Sequence, residues 1–184
     1  SDMQNPTVIK LYKAFEDDVK QGVQNIVNLI EELCENLLKH EEVQNNFNAK
    51  HFSLKMKADY LRYLFEVHGT EESRNSAIKA YDDAWDHIEA EKLPEDNINY
   101  LGMVLNMSVH IREVKGDIQA AIDFTKEKLN SVTNYLNNGQ AADDGTGVKD
   151  SEKPDIKDRS LFIIELMGDN LKLWTGELSA QKGE

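Results

Sequence analysis

The chain reads as an all-α protein built as an antiparallel array of amphipathic helices. Three observations predict this. Apolar residues recur with helical period along most of the length, strand-like alternation is missing, and short helix-breaking junctions part the periodic stretches. With 184 residues, 40% of them hydrophobic, the chain can bury a compact core, and it reads as one domain over 1–178.

Ile9, Tyr12, Phe15, Val19, Val23, Ile26, Val27, Ile30, Leu33, Leu37 and Leu38 mark one stripe, predicting a long helix over 7–39. A polar break at 41–48 leads to a second long helix ending near His68-Gly69, and further helices are expected at 71–91, 95–115 and 117–137. Proline disfavours helix in the residue before it, so Leu93-Pro94 breaks one junction. Lys115-Gly116-Asp117 makes another, with Asp117 placed to cap the next helix. Residues 137–155 are rich in Gly, Asp, Asn and Ser and predict a flexible loop. A last helix is expected at 156–178, followed by a disordered tail at 179–184.

Composition excludes several functions. Lys+Arg number 21 against Asp+Glu 34, a formal net charge of −13, which argues against nucleic acid or an anionic membrane as partner. The one cysteine, Cys34, cannot form an internal disulfide and sits in an apolar stripe as a buried, inert thiol. No signal peptide, membrane-length apolar run or lipidation motif is present, which points to a cytosolic or nuclear compartment. No enzyme is expected, because His40, His51, His68, His87 and His110 form no H-x-x-x-H or H-E-x-x-H pair and no G-x-S-x-G elbow occurs. The D-D-G-T-G run at 143–147 lacks a calcium loop's twelfth ligand, so neither metal nor cofactor is expected.

Three segments carry candidate binding chemistry. In L-K-M-K-A-D-Y-L-R-Y-L (54–64), Lys55, Asp59 and Arg62 fall at 0, +4 and +7 on one helix face, with Tyr63 on its shoulder. Arg offers a planar fork of donors suited to phosphate, Tyr a single O–H, and the acid can orient the cations. In Y-L-G-M-V-L-N-M-S-V-H-I-R-E-V (100–114), Gly102, Leu105, Asn106, Val109 and Glu113 recur at 0, +3, +4, +7 and +11. An amide flanked by aliphatics suits an extended peptide: the apolar residues take side chains, and Asn both donates to and accepts from main chain. In F-I-I-E-L-M-G-D-N-L-K-L-W-T (162–175), Ile163, Leu166, Asn170 and Trp174 repeat the recipe at 0, +3, +7 and +11. The plainer alternatives are a solvated charged face for the first segment and a buried helix with a core Asn for the other two.

Together with A-x-x-A-Y-x-x-A-W (77–85), L-P-x-x-x-I-x-Y-L-G-M-V-L-N-M-S-V (93–109) and D-N-L-K-L-W-T (169–175), these segments resemble the 14-3-3 family of phosphoserine/phosphothreonine-peptide adaptors. The resemblance implies an antiparallel array like the C-terminal part of a 14-3-3 protomer. It also implies a non-catalytic function: capture of phosphorylated proteins or peptides in an amphipathic groove. By resemblance Arg62 and Tyr63 would bind the phosphate, and Asn106 and Asn170 would hold the ligand main chain. Lys55, Leu105, Val109, Ile163, Leu166 and Trp174 would line the groove, with Glu113 supporting it.

The sequence departs from the family pattern in two places. No segment resembles K-N-x-x-x-x-R-R of the family's third helix, and the first long helix here aligns with the family's fourth. The expectation is that the preceding helices, half the phosphate pocket and most of the dimer interface lie outside this sequence, and that a full-length parent forms a homo- or heterodimer. Locally, Phe162 stands where the family has an aliphatic residue, Gly168 where it has a basic one, and K-D-R-S-L (157–161) where it has K-D-S-T-L. Two alternatives stay open: a tetratricopeptide-like helical scaffold, suggested by the small-residue rhythm of 101–124, and a degenerate 14-3-3-like protein binding unphosphorylated partners.

Overall fold

The computed structural model describes residues 5–138 and 154–183, the second stretch with side chains from Arg159 onward. It is all-α as expected, with no strand among the described residues. The order is α1 (Pro6–Leu37), α2 (Glu41–Gln44), α3 (Phe47–His68), α4 (Glu71–Ala90), α5 (Ile98–His110) continued by a π-helical turn (Ile111–Lys115), α6 (Ile118–Asn137) and α7 (Pro154–Lys182). Two compact units divide the chain, Ser1–Tyr81 and Asp82–Glu184. The division falls inside α4.

In the first unit, Asn5 opens α1 by accepting the amide of Thr7 at 2.9 Å, and Pro6 takes the first helical position, where its missing N–H costs nothing. α1 and α3 pack antiparallel: Lys57 meets Glu35 at 2.8 Å near one end, and the His68 ring lies 3.2 Å from the Lys20 carbonyl near the other. Val27 and Cys34 on α1, and Ala58, Leu61 and Leu64 on α3, are buried. Nothing on α1 before Val27 is buried, so the stripe of Ile9, Tyr12, Phe15 and Val19 faces solvent. The expected polar break contains the single turn α2. Asn46 then caps α3 by accepting the amide of Ala49 at 3.0 Å, and Gly69, at φ 64°, ends it in the left-handed conformation.

In the second unit, Asn97 caps α5 by accepting the amides of Asn99 and Tyr100. α5, α6 and α7 pack on one another around Ala121, Ile122 and Trp174, with Val109, Ile111, Ile118, Leu171 and Leu178 at the margin. The Trp85 ring meets Phe124 edge-on at 5.4 Å, and Lys128 lies over both rings. Gly116 (φ 74°) and Asp117 make the expected turn, both amides bonding the Ile111 carbonyl. Asp117 caps α6 by accepting the amide of Ala120 at 2.8 Å.

Two local expectations need correction. The helix expected over 95–115 is α-helical only to His110 and then widens into the π turn. The tail expected to be disordered from Ser179 instead continues α7 through Lys182, helped by Leu178 at the core margin and by Ser179 donating to the Thr175 carbonyl at 2.8 Å. Most of the loop expected at 137–155 lies outside the described residues.

Candidate functional site

The α3 face assembles as the heptad-like spacing predicts, and it is a linked set of charges rather than a scatter. Lys55 donates to Asp59 at 2.6 Å, and the second oxygen of Asp59 accepts the hydroxyl of Tyr81 at 2.6 Å. The Tyr81 oxygen in turn accepts Nε of Arg62 at 3.3 Å. The guanidinium of Arg62 also pairs with Glu66 one turn on and stacks 4.5 Å from the centre of the Tyr63 ring. Phe52, Lys55, Met56, Asp59, Tyr60 and Tyr63 line an open cavity of about 320 Å³ on the same helix.

The electrostatics of this set are well defined. Burial opposes the charge on Arg62, but Tyr81, then Glu66 and Tyr63, outweigh it and hold the guanidinium above arginine's ordinary pKa. Burial raises the pKa of Tyr81, and the Asp59 carboxylate raises it further, while Arg62 opposes. The phenol therefore stays protonated and donates to Asp59, which leaves its oxygen to receive Arg62. Arg62 is a fixed cation whose plane is set by a buried hydroxyl.

Spacing alone finds Lys55, Asp59, Arg62 and Tyr63; it does not find Tyr81 and Glu66. Tyr81 lies nineteen residues from Arg62 in sequence, within the Ala-x-x-Ala-Tyr rhythm of α4. Glu66 sits at i+4 from Arg62, a spacing that is a usable signal.

In the second unit, Gly102, Leu105, Asn106 and Val109 are partly exposed, while Leu101, Met103, Val104, Met107, Ser108 and His110 are buried. The stripe therefore forms the partly exposed margin of α5. Glu113 is exposed and lies within the π turn. On α7, Ile163 and Asn170 are partly exposed and Leu166 is exposed. Trp174 is buried among Ala121 and Ile122, with Val109 packed against that cluster, so the structure brings Val109 and Trp174 together. Trp174 is 5% exposed. Arg112 fastens the π turn to α7 through Glu177 at 2.9 Å.

α5 and α7 each carry an aliphatic–Asn stripe, and α3 carries an arginine held by Tyr81, Glu66 and Tyr63. A family model described as 14-3-3 protein matches residues 1–175. The chain is 35% identical over 144 residues to 14-3-3 protein zeta of Bombyx mori, covering 76% of this chain and 52% of that protein. It is 31% identical over 189 residues to 14-3-3 protein I of Plasmodium falciparum, covering 100% and 64%. It is 28% identical over 176 residues to human 14-3-3 protein eta, covering 94% and 66%. The chain belongs to the 14-3-3 family, which sets the tetratricopeptide alternative aside. It spans between about half and two thirds of the length of these relatives.

Proposed function

We propose that this chain is a non-catalytic adaptor that binds phosphoserine- or phosphothreonine-containing peptides of partner proteins. The observation that carries the reading is the state of Arg62: permanently charged, largely buried, and oriented by Tyr81 and by Tyr63, which itself lines an open cavity. A planar fork held in one orientation loses little freedom when it takes a phosphate, and the bidentate bonds it makes are charge-assisted. Phosphate recognition is assigned to Arg62 and Tyr63, with Lys55 alongside. Main-chain capture is assigned to Asn106 and Asn170, partly exposed residues that share their stripes with Leu105 and Val109, and with Ile163 and Leu166. The proposal includes no cofactor, a cytosolic or nuclear setting, and a dimeric parent protein.

Isothermal titration with a serine peptide and its phosphoserine counterpart tests this. Tighter binding of the phosphorylated form is the expected result. Equal binding of the two would instead support the alternative of a family member that takes unphosphorylated partners.

A further inference from the structure

We propose that Glu66 is a resident anion at Arg62, which an incoming phosphate must displace, and that Glu66 thereby sets the affinity threshold of the α3 face. The inference rests on the phosphate reading of that face and says how the site is regulated.

A carboxylate and a phosphate present the same kind of acceptor to a guanidinium, so the Arg62–Glu66 pair occupies with a side chain the bond a ligand would make. The two partners are unequally held. The Arg62 side chain is 12% exposed and anchored by Tyr81 and Tyr63, whereas that of Glu66 is 41% exposed. Glu66 is the more solvent-facing partner of the pair. Asp59 cannot play this part, because Lys55 and Tyr81 hold it from two sides and its side chain is only 15% exposed.

Two further observations agree. Lys55–Asp59 and Arg62–Glu66 both place the cation N-terminal to the acid at i,i+4, the less favourable order for helix stability. Helix propensity is therefore a poor reason for these acids to be there. Each of the two cations is also paired with a carboxylate while Glu66 stays in place. An arginine free for only part of the time binds with its intrinsic affinity reduced by that fraction.

The test is titration of the full chain with a phosphoserine peptide and its serine counterpart, using Glu66→Gln, Arg62→Ala and the double variant. Glu71→Gln serves as a charge-only control. Tyr81 touches Arg62, and Glu71 lies ten residues away along α4, about 15 Å at the helical rise and beyond the screening length. Glu66→Gln is expected to tighten the phosphopeptide about two- to fivefold, the range of an exposed pair, and to leave the serine peptide unchanged. Glu71→Gln should change neither peptide, and the gain should vanish in the double variant.

Unchanged or weaker phosphopeptide binding by Glu66→Gln, with Arg62→Ala still harmful, overturns the resident anion and leaves the phosphate reading standing. A gain that persists without Arg62, or that Glu71→Gln reproduces, reduces the effect to bulk charge and overturns it as well. If neither the parent chain nor Glu66→Gln prefers the phosphorylated peptide, both readings fall together.

Discussion

Arg62 shows how much one side chain can owe to a residue far away in sequence. Its spacing from Lys55 and Asp59 is legible as a helix face, because i, i+4 and i+7 coincide on any helix. Its orientation is not legible, since the buried Tyr81 hydroxyl that sets it comes from another helix. Tyr81→Phe removes the donor to Asp59 and the acceptor for Arg62 while keeping the ring. Stability should fall by about 1–3 kcal/mol for the two hydrogen bonds lost, and denaturant unfolding measures it. Preference for the phosphorylated peptide should fall in the same variant. Asn106→Asp and Asn170→Asp remove a donor and add a charge at partly exposed positions. Peptides of differing sequence should lose affinity alike, with little change in melting temperature; unfolding of either variant would show that the amide holds the core. Cys34 is fully buried, and burial raises its thiol pKa, so alkylation at neutral pH should be slow and should follow the opening of α1 from α3.

At the scale of elements, caps were the most readable feature. Asp117 caps α6 where its position after Lys115-Gly116 predicts, because a left-handed glycine followed by an acid fits few other structures. The π turn before it was not readable. Hydrophobic period distinguishes a helix from a strand, but a five-residue change in winding alters too few positions to register. The continuation of α7 past Leu178 was hidden for a related reason: Ser179 and its neighbours are polar, and polarity alone does not show that a helix has already been nucleated upstream. Gly116→Ala forces a Cβ into φ 74° and should cost about 1–2 kcal/mol. Urea unfolding checks this. Phosphopeptide preference should survive, since α3 is untouched.

For the whole molecule, charge and apolar surface pull in opposite directions. A net charge of −13 favours solubility. Against it, Ile9, Tyr12 and Phe15 on α1 are 52%, 64% and 68% exposed, an apolar run along one stripe of the kind that can carry association. The 184-residue chain should therefore self-associate through 9–23 or fray there. Light scattering should show mass rising with concentration, and Phe15→Glu should abolish the rise. A concentration-independent monomer whose α1 amides are fully protected from hydrogen exchange from the first turn would show that the stripe is covered.

The central claim is that this 14-3-3 family chain reads phosphate through Arg62. Its most direct test is the ratio of affinities for a phosphoserine peptide and its serine counterpart, measured by calorimetry before and after Arg62→Ala. A charge-assisted contact contributes about 1.5–3 kcal/mol, so the ratio should collapse by about ten- to a hundredfold while serine-peptide affinity stays nearly constant. Equal loss for both peptides would contradict the claim and leave Arg62 as a structural ion-pair residue between Tyr81 and Glu66.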